Sequence, residues 1–264
     1  MSYLEQNRGF YDRLARSAKR FAKPATREEL RDPVKTLGGL DWLGGTVHGQ
    51  RVLCLAAGGG RQGPLYAAAG GDVTVVDISP EMLALDRRVA MDNDLAMSTI
   101  EASIEDLSAL PASYFDVVVQ PVSTCYVPDV AIVFRQVARV IREDGTYVSQ
   151  HKQPISLQGS IRPRAEGYWV REPYYLDRAL DPSSEPSRFR EQGAVEYLHR
   201  WEQLIGWMCR AGFVVEDLVE PRHADPRASF GQFGHRCQFI PPYVRIKARR
   251  KGGARQANLW ERPA

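Results

Sequence analysis

Three consecutive glycines stand where a nucleotide could contact the backbone. They occur in VLCLAAGGGRQGPL, residues 52–65, between an apolar run and a helical pattern. Glycine allows a positive φ and the close approach of a ligand. Asp77 ends the next apolar run, and a carboxylate at a strand end can accept both hydroxyls of a ribose. The spacing of Gly58, Gly60 and Asp77 therefore predicts a nucleotide site, either in a dinucleotide enzyme or in an enzyme with an adenosyl cofactor.

Two histidines are candidates for proton transfer. His151 ends an apolar run and His199 begins a late helical stretch, and imidazole titrates near neutral pH. We expect the side chain of His151 to point toward the cleft and either ring to serve as a general base. The alternative is that each histidine caps a helix or supports a neighbouring side chain.

The cysteines offer no comparable chemistry. They are far apart and lack the spacing of metal ligands, so we expect reduced structural thiols and no metal site at Cys54, Cys125, Cys209 and Cys237. No apolar run is long enough to cross a bilayer, and the first residues form a charged helical pattern rather than a signal peptide. These features predict a cytoplasmic protein without a membrane partner.

The elements that must position these residues alternate along the chain. β-type runs such as RVLCLA, DVTVVD, FDVVVQ and GTYVSQH are separated by helical patterns. This order predicts an α/β fold, a doubly wound and mostly parallel sheet of seven strands. We expect a single domain over residues 1–250, with a helical cap at 1–45, a lid inserted at 152–196 and a disordered tail at 251–264.

The charge of the chain gives little reason to expect a nucleic-acid partner. The formal net charge is +3, which is only mildly basic. In the basic run RIKARRK, residues 245–251, charged and apolar residues alternate. Such alternation is typical of an edge strand whose outer face is charged. We therefore predict no nucleic-acid partner.

Four further stretches, in this order, carry a family resemblance. They are VVDISPEMLALDRR, EASIEDLSALPASYFDVVVQ, VARVIREDGTYV and YLHRWEQLIGWMCRAGFVVEDLVEP. Together with the glycine loop they resemble the motifs of class I S-adenosylmethionine-dependent methyltransferases of the small-molecule type. The resemblance covers residues 50–155 and 197–221. It implies a Rossmann-like methyltransferase fold with S-adenosylmethionine as the cofactor.

The resemblance also implies roles for individual residues. The backbone of Gly58 and Gly60 would contact the methionine part of the cofactor, and Asp77 would bind the ribose. The remaining implied cofactor residues follow the strands or belong to the N-terminal helix: Tyr11, Ala56, Ile78, Met82, Ser103, Ile104 and Gln120. Residues after the fourth strand and in the lid are expected to bind an aromatic or partly anionic small molecule: Ser123, Tyr126, Tyr168, Trp169 and Arg171.

Three functions fit these patterns. We predict a methyltransferase that acts on a small-molecule acceptor, with His199 or His151 as the base. The family usually has an acidic residue two positions before its first glycine, and we expect Ala56 to occupy that position. This departure also allows a protein that binds the cofactor without transferring a methyl group. The glycine spacing allows a nicotinamide-dependent oxidoreductase as well, and a homodimer is compatible with the sequence.

Overall fold

The structure, a computed structural model, describes residues 2–17, 23–38, 40–164, 167–182 and 188–251. The expected tail lies outside the described residues, apart from Lys251. Within the described ranges, no helix is long and apolar enough to cross a membrane. The same residues contain no group of three His, Cys, Asp or Glu side chains that could hold a metal ion.

A seven-stranded sheet forms the centre of the described structure. Its strands are β1 (Arg51–Leu55), β2 (Asp72–Asp77), β3 (Met97–Glu101), β4 (Phe115–Gln120), β5 (Ile141–Lys152), β6 (Phe213–Val219) and β7 (Tyr243–Arg250). The spatial order is β3-β2-β1-β4-β5-β7-β6, and β7 runs antiparallel to both of its neighbours, whereas the other pairs are parallel. The predicted doubly wound, mostly parallel sheet of seven strands is confirmed. The strand order reverses at β1 and β4, and ligands of such sheets bind at the carboxyl ends of the strands beside that reversal.

The helices begin where the sequence supplies caps. They are α1 (Tyr3–Arg16), α2 (Arg27–Arg31), α3 (Pro33–Thr36), α4 (Gln62–Ala68), α5 (Pro80–Asp92), α6 (Val130–Val140), α7 (Pro154–Gln158), α8 (Trp207–Arg210) and α9 (Phe233–Arg236). Ser2 and Glu5 form a capping box at the start of α1. Ser79 caps α5 by accepting a hydrogen bond from the N–H of Met82. Because α5 begins so soon after Asp77, Met82 lies beside the end of β2.

The first strand is buried on both faces, since helices cover both sides of the sheet. Leu53 and Leu55 pack into the core that contains Phe134 of α6. Cys54 packs on the opposite face, in the core that contains Tyr66 of α4. Cys54 is thus a core residue, and its thiol is free, as are those of the other three cysteines.

The described part of residues 152–196, the segment expected to form a lid, contains α7 and isolated β-bridges but is otherwise irregular. Arg236 of α9 anchors this segment. It is fully buried and donates hydrogen bonds to the carbonyl oxygens of Ser156, Gly159 and Ser160. Burial lowers the pKa of Arg236 to about 10. Sequence patterns do not single out this arginine, because its partners are backbone atoms of a segment without periodicity.

Candidate active site

A cavity of about 360 Å³ lies at the carboxyl ends of β1, β2 and β4, beneath α1. Its volume falls in the range of small-molecule sites. Asn7 holds α1 in place, because its amide donates to the carbonyl oxygens of Tyr126 and Val195 and accepts from the N–H of Val195. The wall contains most of the predicted cofactor residues: Tyr11, Ala56, Gly58, Asp77, Ile78, Met82, Ser103 and Ile104.

The glycine loop packs too tightly for side chains at two places. A Cβ on Gly58 would lie 2.8 Å from Met82 Cβ and 2.9 Å from Asp77 Oδ2. Gly60 has a φ of +75°, and a Cβ there would lie 3.0 Å from the carbonyl oxygen of Leu85. Gly58 therefore lines the cavity, whereas Gly60 packs against α5 and does not reach the wall.

The turn after β1 begins at Ala56. Its φ of +49° lies in the left-handed region that favours glycine, so Ala56 takes the place of the first glycine of the turn. The residue two positions earlier is Cys54, which is fully buried in the core. Measured from the residue that begins this turn, the position two residues earlier is therefore Cys54 and not Ala56.

Asp77 connects the glycine loop to the end of β2 and faces the cavity. Its Oδ2 accepts a hydrogen bond from Gly58 N and its Oδ1 accepts one from Ser79 N, each at 2.9 Å. Burial raises the pKa of Asp77 to about 6, although these backbone hydrogen bonds oppose the shift. A carboxylate that is fixed in this way and ionised at neutral pH can accept further hydrogen bonds from the hydroxyls of a ligand.

A second carboxylate, Asp86 of α5, lies behind the glycine loop. It is fully buried, and its Oδ2 accepts a hydrogen bond from Gly59 N at 2.9 Å. Its Oδ1 has no hydrogen-bond partner among the described residues, and burial raises the pKa of Asp86 to about 7. Asp86 thus fixes the loop from outside the cavity. It was missed in the sequence because an aspartate within a helical pattern is typical of a solvent-facing position.

The residues after β4 divide between two cavities. Ser123 and Tyr126, predicted to bind the acceptor, line the cavity beneath α1. Gln120 does not line it but faces a neighbouring cavity of about 510 Å³. The Gln120 amide donates to Ser123 Oγ at 2.8 Å and accepts a hydrogen bond from the Tyr147 hydroxyl. Gln120 therefore holds Ser123 in place from outside the cavity, and the expectation that it contacts the cofactor is corrected.

The predicted acceptor residues of the lid do not reach the cavity either. The Tyr168 hydroxyl lies 3.0 Å from His235 Nδ1. The Arg164 guanidinium lies over Trp169, 4.1 Å from the ring centroid. The side chain of Arg171 is 66% exposed to solvent. Because these side chains pack against other residues or face solvent, the expectation that Tyr168, Trp169 and Arg171 line the acceptor site is corrected.

Both predicted catalytic histidines lie behind the cavity wall. His151 is fully buried, and the hydroxyls of Thr124 and Ser149 lie 2.8 Å from its Nδ1 and Nε2. Its neighbours Gln150 and Lys152 line the cavity instead, because successive side chains of β5 point to opposite faces of the sheet. The expectation that His151 points toward the cleft is therefore wrong.

His199 supports the loop that follows β4. Its Nε2 donates to the carbonyl oxygens of Thr124 and Val127, at 2.9 and 3.0 Å. Burial lowers the pKa of His199, and it lowers the pKa of His151 to about 3. Both rings are therefore neutral at pH 7 and hold residues 124–127 in place, and neither contacts the cavity in which a base would act.

Two charged residues on the wall were not predicted from the sequence. Lys152 Nζ lies 2.5 Å from Glu191 Oε2, and both side chains line the cavity. Burial opposes the charge of Lys152, but Glu191 and Glu196 raise its pKa above the ordinary value. A signal for Lys152 existed in the alternation of β5, which places it on the face opposite His151. Glu191 follows no periodic pattern.

Comparison with known proteins shows the family. Residues 53–149 match the family described as a methyltransferase domain. Over 185 residues the chain is 34% identical to the uncharacterized methyltransferase YbaJ of Bacillus subtilis (strain 168), and the match covers 69% of this chain and 72% of that protein. The chain belongs to the class I S-adenosylmethionine-dependent methyltransferases. The nicotinamide-dependent oxidoreductase that the glycine spacing allowed is thereby set aside.

Two further similarities are to another relative by sequence and to a solved structure. It is 30% identical over 109 residues to a ubiquinone biosynthesis O-methyltransferase of Xanthomonas campestris pv. campestris (strain B100), a match that covers 40% of this chain and 46% of that protein. The chain thus matches less than half the length of that relative. Its fold is similar to that of an S-adenosylmethionine-dependent methyltransferase from Mesorhizobium loti, with a TM-score of 0.66 and 23% identity over 84% of this chain and 100% of that chain.

Proposed function

We propose that this methyltransferase transfers the methyl group of S-adenosylmethionine to a small-molecule acceptor within the cavity beneath α1. The observation that carries the proposal is that one cavity reaches the ends of two strands whose side chains differ in chemistry. Asp77 at the end of β2 and Lys152 at the end of β5 both line it. β1 and β4 lie between these strands, so the two ends are roughly 14 Å apart by strand spacing. That length accommodates a cofactor and an acceptor side by side.

The β2 end has the features that an adenosine moiety requires. Asp77 would accept hydrogen bonds from the ribose hydroxyls, because its two oxygens are already oriented by Gly58 and Ser79. Ile78 and Met82 would pack on the adenine. Other residues of this wall would contact the adenine edge or close over the cofactor: Ser103, Ile104 and Tyr11.

The β5 end has the features of an acceptor site. Ser123 and Tyr126 line it together with Lys152. The rings of Tyr11 and Tyr126 meet edge to face, with 5.6 Å between their centroids, and such a wall suits an aromatic acceptor. The arginine expected to bind an anionic group, Arg171, lies outside the cavity. Of the two acceptor classes expected from the sequence, we therefore retain the aromatic one.

The chemistry requires little beyond placement. When bound, S-adenosylmethionine supplies a methyl group on a positively charged sulfur, which is a good leaving group. The protein must hold the acceptor in line with that methyl group, and placement alone can supply much of the rate. Asp77 would fix the ribose end, Ser123 and Tyr126 would orient the acceptor, and Tyr11 of α1 would exclude water from the space between them.

Calorimetric titration tests the proposal at its first step. We expect S-adenosylhomocysteine to bind the wild-type protein and NADH not to bind. Arg171→Ala serves as a control outside the cavity, and it should bind S-adenosylhomocysteine as the wild type does. Transfer of a labelled methyl group to members of a small-molecule panel then tests the reaction. Binding of NADH in place of S-adenosylhomocysteine would contradict the proposal.

We further propose a cytoplasmic location, which is supported by the four free thiols, since disulfides are rare in the reducing cytosol. The homodimer and the lack of a nucleic-acid partner stay predictions from the sequence. Sedimentation at two protein concentrations would test the first, and titration with duplex DNA at low salt would test the second.

A further inference from the structure

Two acids and two basic side chains form a buried ionic cluster at the β5 end of the cavity. Lys152 Nζ lies 2.5 Å from both Glu191 Oε2 and Glu196 Oε1, and Glu196 also pairs with Arg190. The side chains of Lys152 and Glu196 are 2% and 0% exposed, and that of Glu191 is 12% exposed. Of these four residues, Lys152 and Glu191 line the cavity. They are therefore the charged groups that an acceptor at this end would contact.

Both residues keep hydrogen-bonding capacity toward the cavity. A carboxylate offers about four acceptor sites, and on Glu191 two of them are taken by Lys152 and Tyr126. Acceptor capacity on Glu191 therefore remains for a donor on a ligand. The ammonium of Lys152 carries three N–H groups, and the two carboxylates take two of them. A group that both donates and accepts, such as a hydroxyl, would complete both residues at once.

The charge balance of the cluster favours a neutral acceptor. Two cationic and two acidic side chains already offset one another. An anionic acceptor on Lys152 would add a negative charge to this buried set, and a cationic acceptor would add a positive one beside the sulfonium of the cofactor. An uncompensated buried charge is strongly unfavourable. A neutral hydroxyl can donate to Glu191 and accept from Lys152 without changing the balance.

We propose that Lys152 and Glu191 bind a neutral acceptor with a phenolic hydroxyl, and that Glu191 takes the hydroxyl proton during methyl transfer. This inference rests on the function proposed above. The hydroxyl oxygen forms a bond to the methyl carbon, the carbon–sulfur bond breaks, and its electron pair stays on the sulfur. The proton moves from the hydroxyl to a carboxylate oxygen of Glu191. A phenol suits this step better than an alkyl alcohol, because its proton is more acidic and transfers more readily to a carboxylate.

The surroundings of Glu191 keep it available as a proton acceptor at neutral pH. Burial alone would raise its pKa, but Lys152 holds the pKa of Glu191 below the ordinary value, helped by a hydrogen bond from Tyr126. The titratable and charged groups that face this carboxyl come from α1, the loop after β4, β5 and its own segment: Tyr11, Cys125, Tyr126, Lys152, Arg190 and Glu196.

The test compares Glu191→Gln with Glu216→Gln. Glu216 is a matched control, because it pairs with Lys247 and Arg249 on the outer strands and does not line the cavity. Calorimetry with S-adenosylhomocysteine comes first, and all three proteins should bind it with nearly the same affinity. Failure of the wild-type protein to bind it would contradict the proposed function and not the role of the Lys152–Glu191 pair.

Transfer of a labelled methyl group is then measured with phenol, 4-nitrophenol, benzoate and benzylamine. We expect transfer to the phenols, lowered at least about tenfold by Glu191→Gln, the lower end of the range for a placed base. The loss should be smaller for 4-nitrophenol, whose more acidic hydroxyl needs less assistance, whereas a purely structural role would lower both phenols equally. Equal losses, a preference for benzoate or benzylamine, or no transfer to either phenol by protein that binds S-adenosylhomocysteine would overturn the proposal.

Discussion

Replacing Asp77 by asparagine tests the cofactor end with a side chain of equal size, in which an amide NH2 takes the place of one of the two oxygens that accept from the backbone. The carboxylate holds Gly58 N and Ser79 N at 2.9 Å, and we propose that it also accepts hydrogen bonds from the ribose. A hydrogen bond to a charged group contributes about 1.5–3 kcal/mol. Losing the contribution of one such bond corresponds to about a tenfold weaker affinity. Asp77→Asn should therefore raise the Kd of S-adenosylhomocysteine at least about tenfold at pH 8.

The pH dependence gives this prediction a second readout. Burial raises the pKa of Asp77 from 3.8 to about 6, so between about pH 4 and pH 6 the folded protein without ligand holds a proton that the unfolded chain has released. The contribution of Asp77 to stability therefore falls as pH rises from about 4 to about 6. The ribose hydroxyls donate to the ionised carboxylate of Asp77. The affinity for S-adenosylhomocysteine should therefore weaken as pH falls below 6, approaching about tenfold per pH unit.

Calorimetric titrations at pH 5 and pH 8 measure both effects. The wild-type protein should bind more weakly at pH 5, whereas Asp77→Asn should bind weakly at both values with little difference between them. Thermal unfolding of the two proteins without ligand shows whether the variant is folded. Equal Kd values for the two proteins at pH 8, with both folded, would refute the assignment of Asp77 to the ribose.

Three further predictions concern the loops around the cavity. Gly58→Val should abolish S-adenosylhomocysteine binding in calorimetry, because a Cβ at this position would lie only 2.8 Å from Met82 Cβ. Normal binding would show that the loop does not contact the ligand. Burial raises the pKa of Asp86 to about 7, so its contribution to the free energy of unfolding should fall as pH rises from about 4 to about 7, by at most roughly 4 kcal/mol. Asp86→Asn should remove this fall. Urea unfolding at pH 5 and 8 measures it, and the same pH dependence in the variant and the wild type would contradict the prediction. His199→Ala should lower the melting temperature and raise the acceptor KM without altering the pH profile of kcat. Loss of one limb of that profile in the variant would instead identify His199 as a base.

The fold and the cofactor end were predictable because their determinants are local. Apolar runs of strand length ending at Leu55 and Asp77 place the turns, and the Ser79–Pro80 pair fixes where α5 begins. Together these features bring Gly58, Asp77 and Met82 to one place. The left-handed φ of Ala56 was not predictable in the same way, since alanine is not the residue that such a conformation favours.

The acceptor end could not be predicted, because its residues meet only through tertiary structure. Which face of β5 receives His151 depends on a register in which it lies opposite Val244 of β7. Moving that register by one residue would exchange the faces of His151 and Lys152. Glu191 contacts Lys152 across 39 positions of sequence, from a segment without periodicity. No local pattern specifies such a contact.

A crystal structure of the protein with S-adenosylhomocysteine is the most direct test of the central claim, that the cavity beneath α1 holds the cofactor with its ribose on Asp77. We expect the adenine beside Ile78 and Met82, both ribose hydroxyls within hydrogen-bonding distance of Asp77, and the sulfur directed toward Ser123 and Tyr126. Density for S-adenosylhomocysteine at another site, or a ribose beyond the reach of Asp77, would contradict the claim.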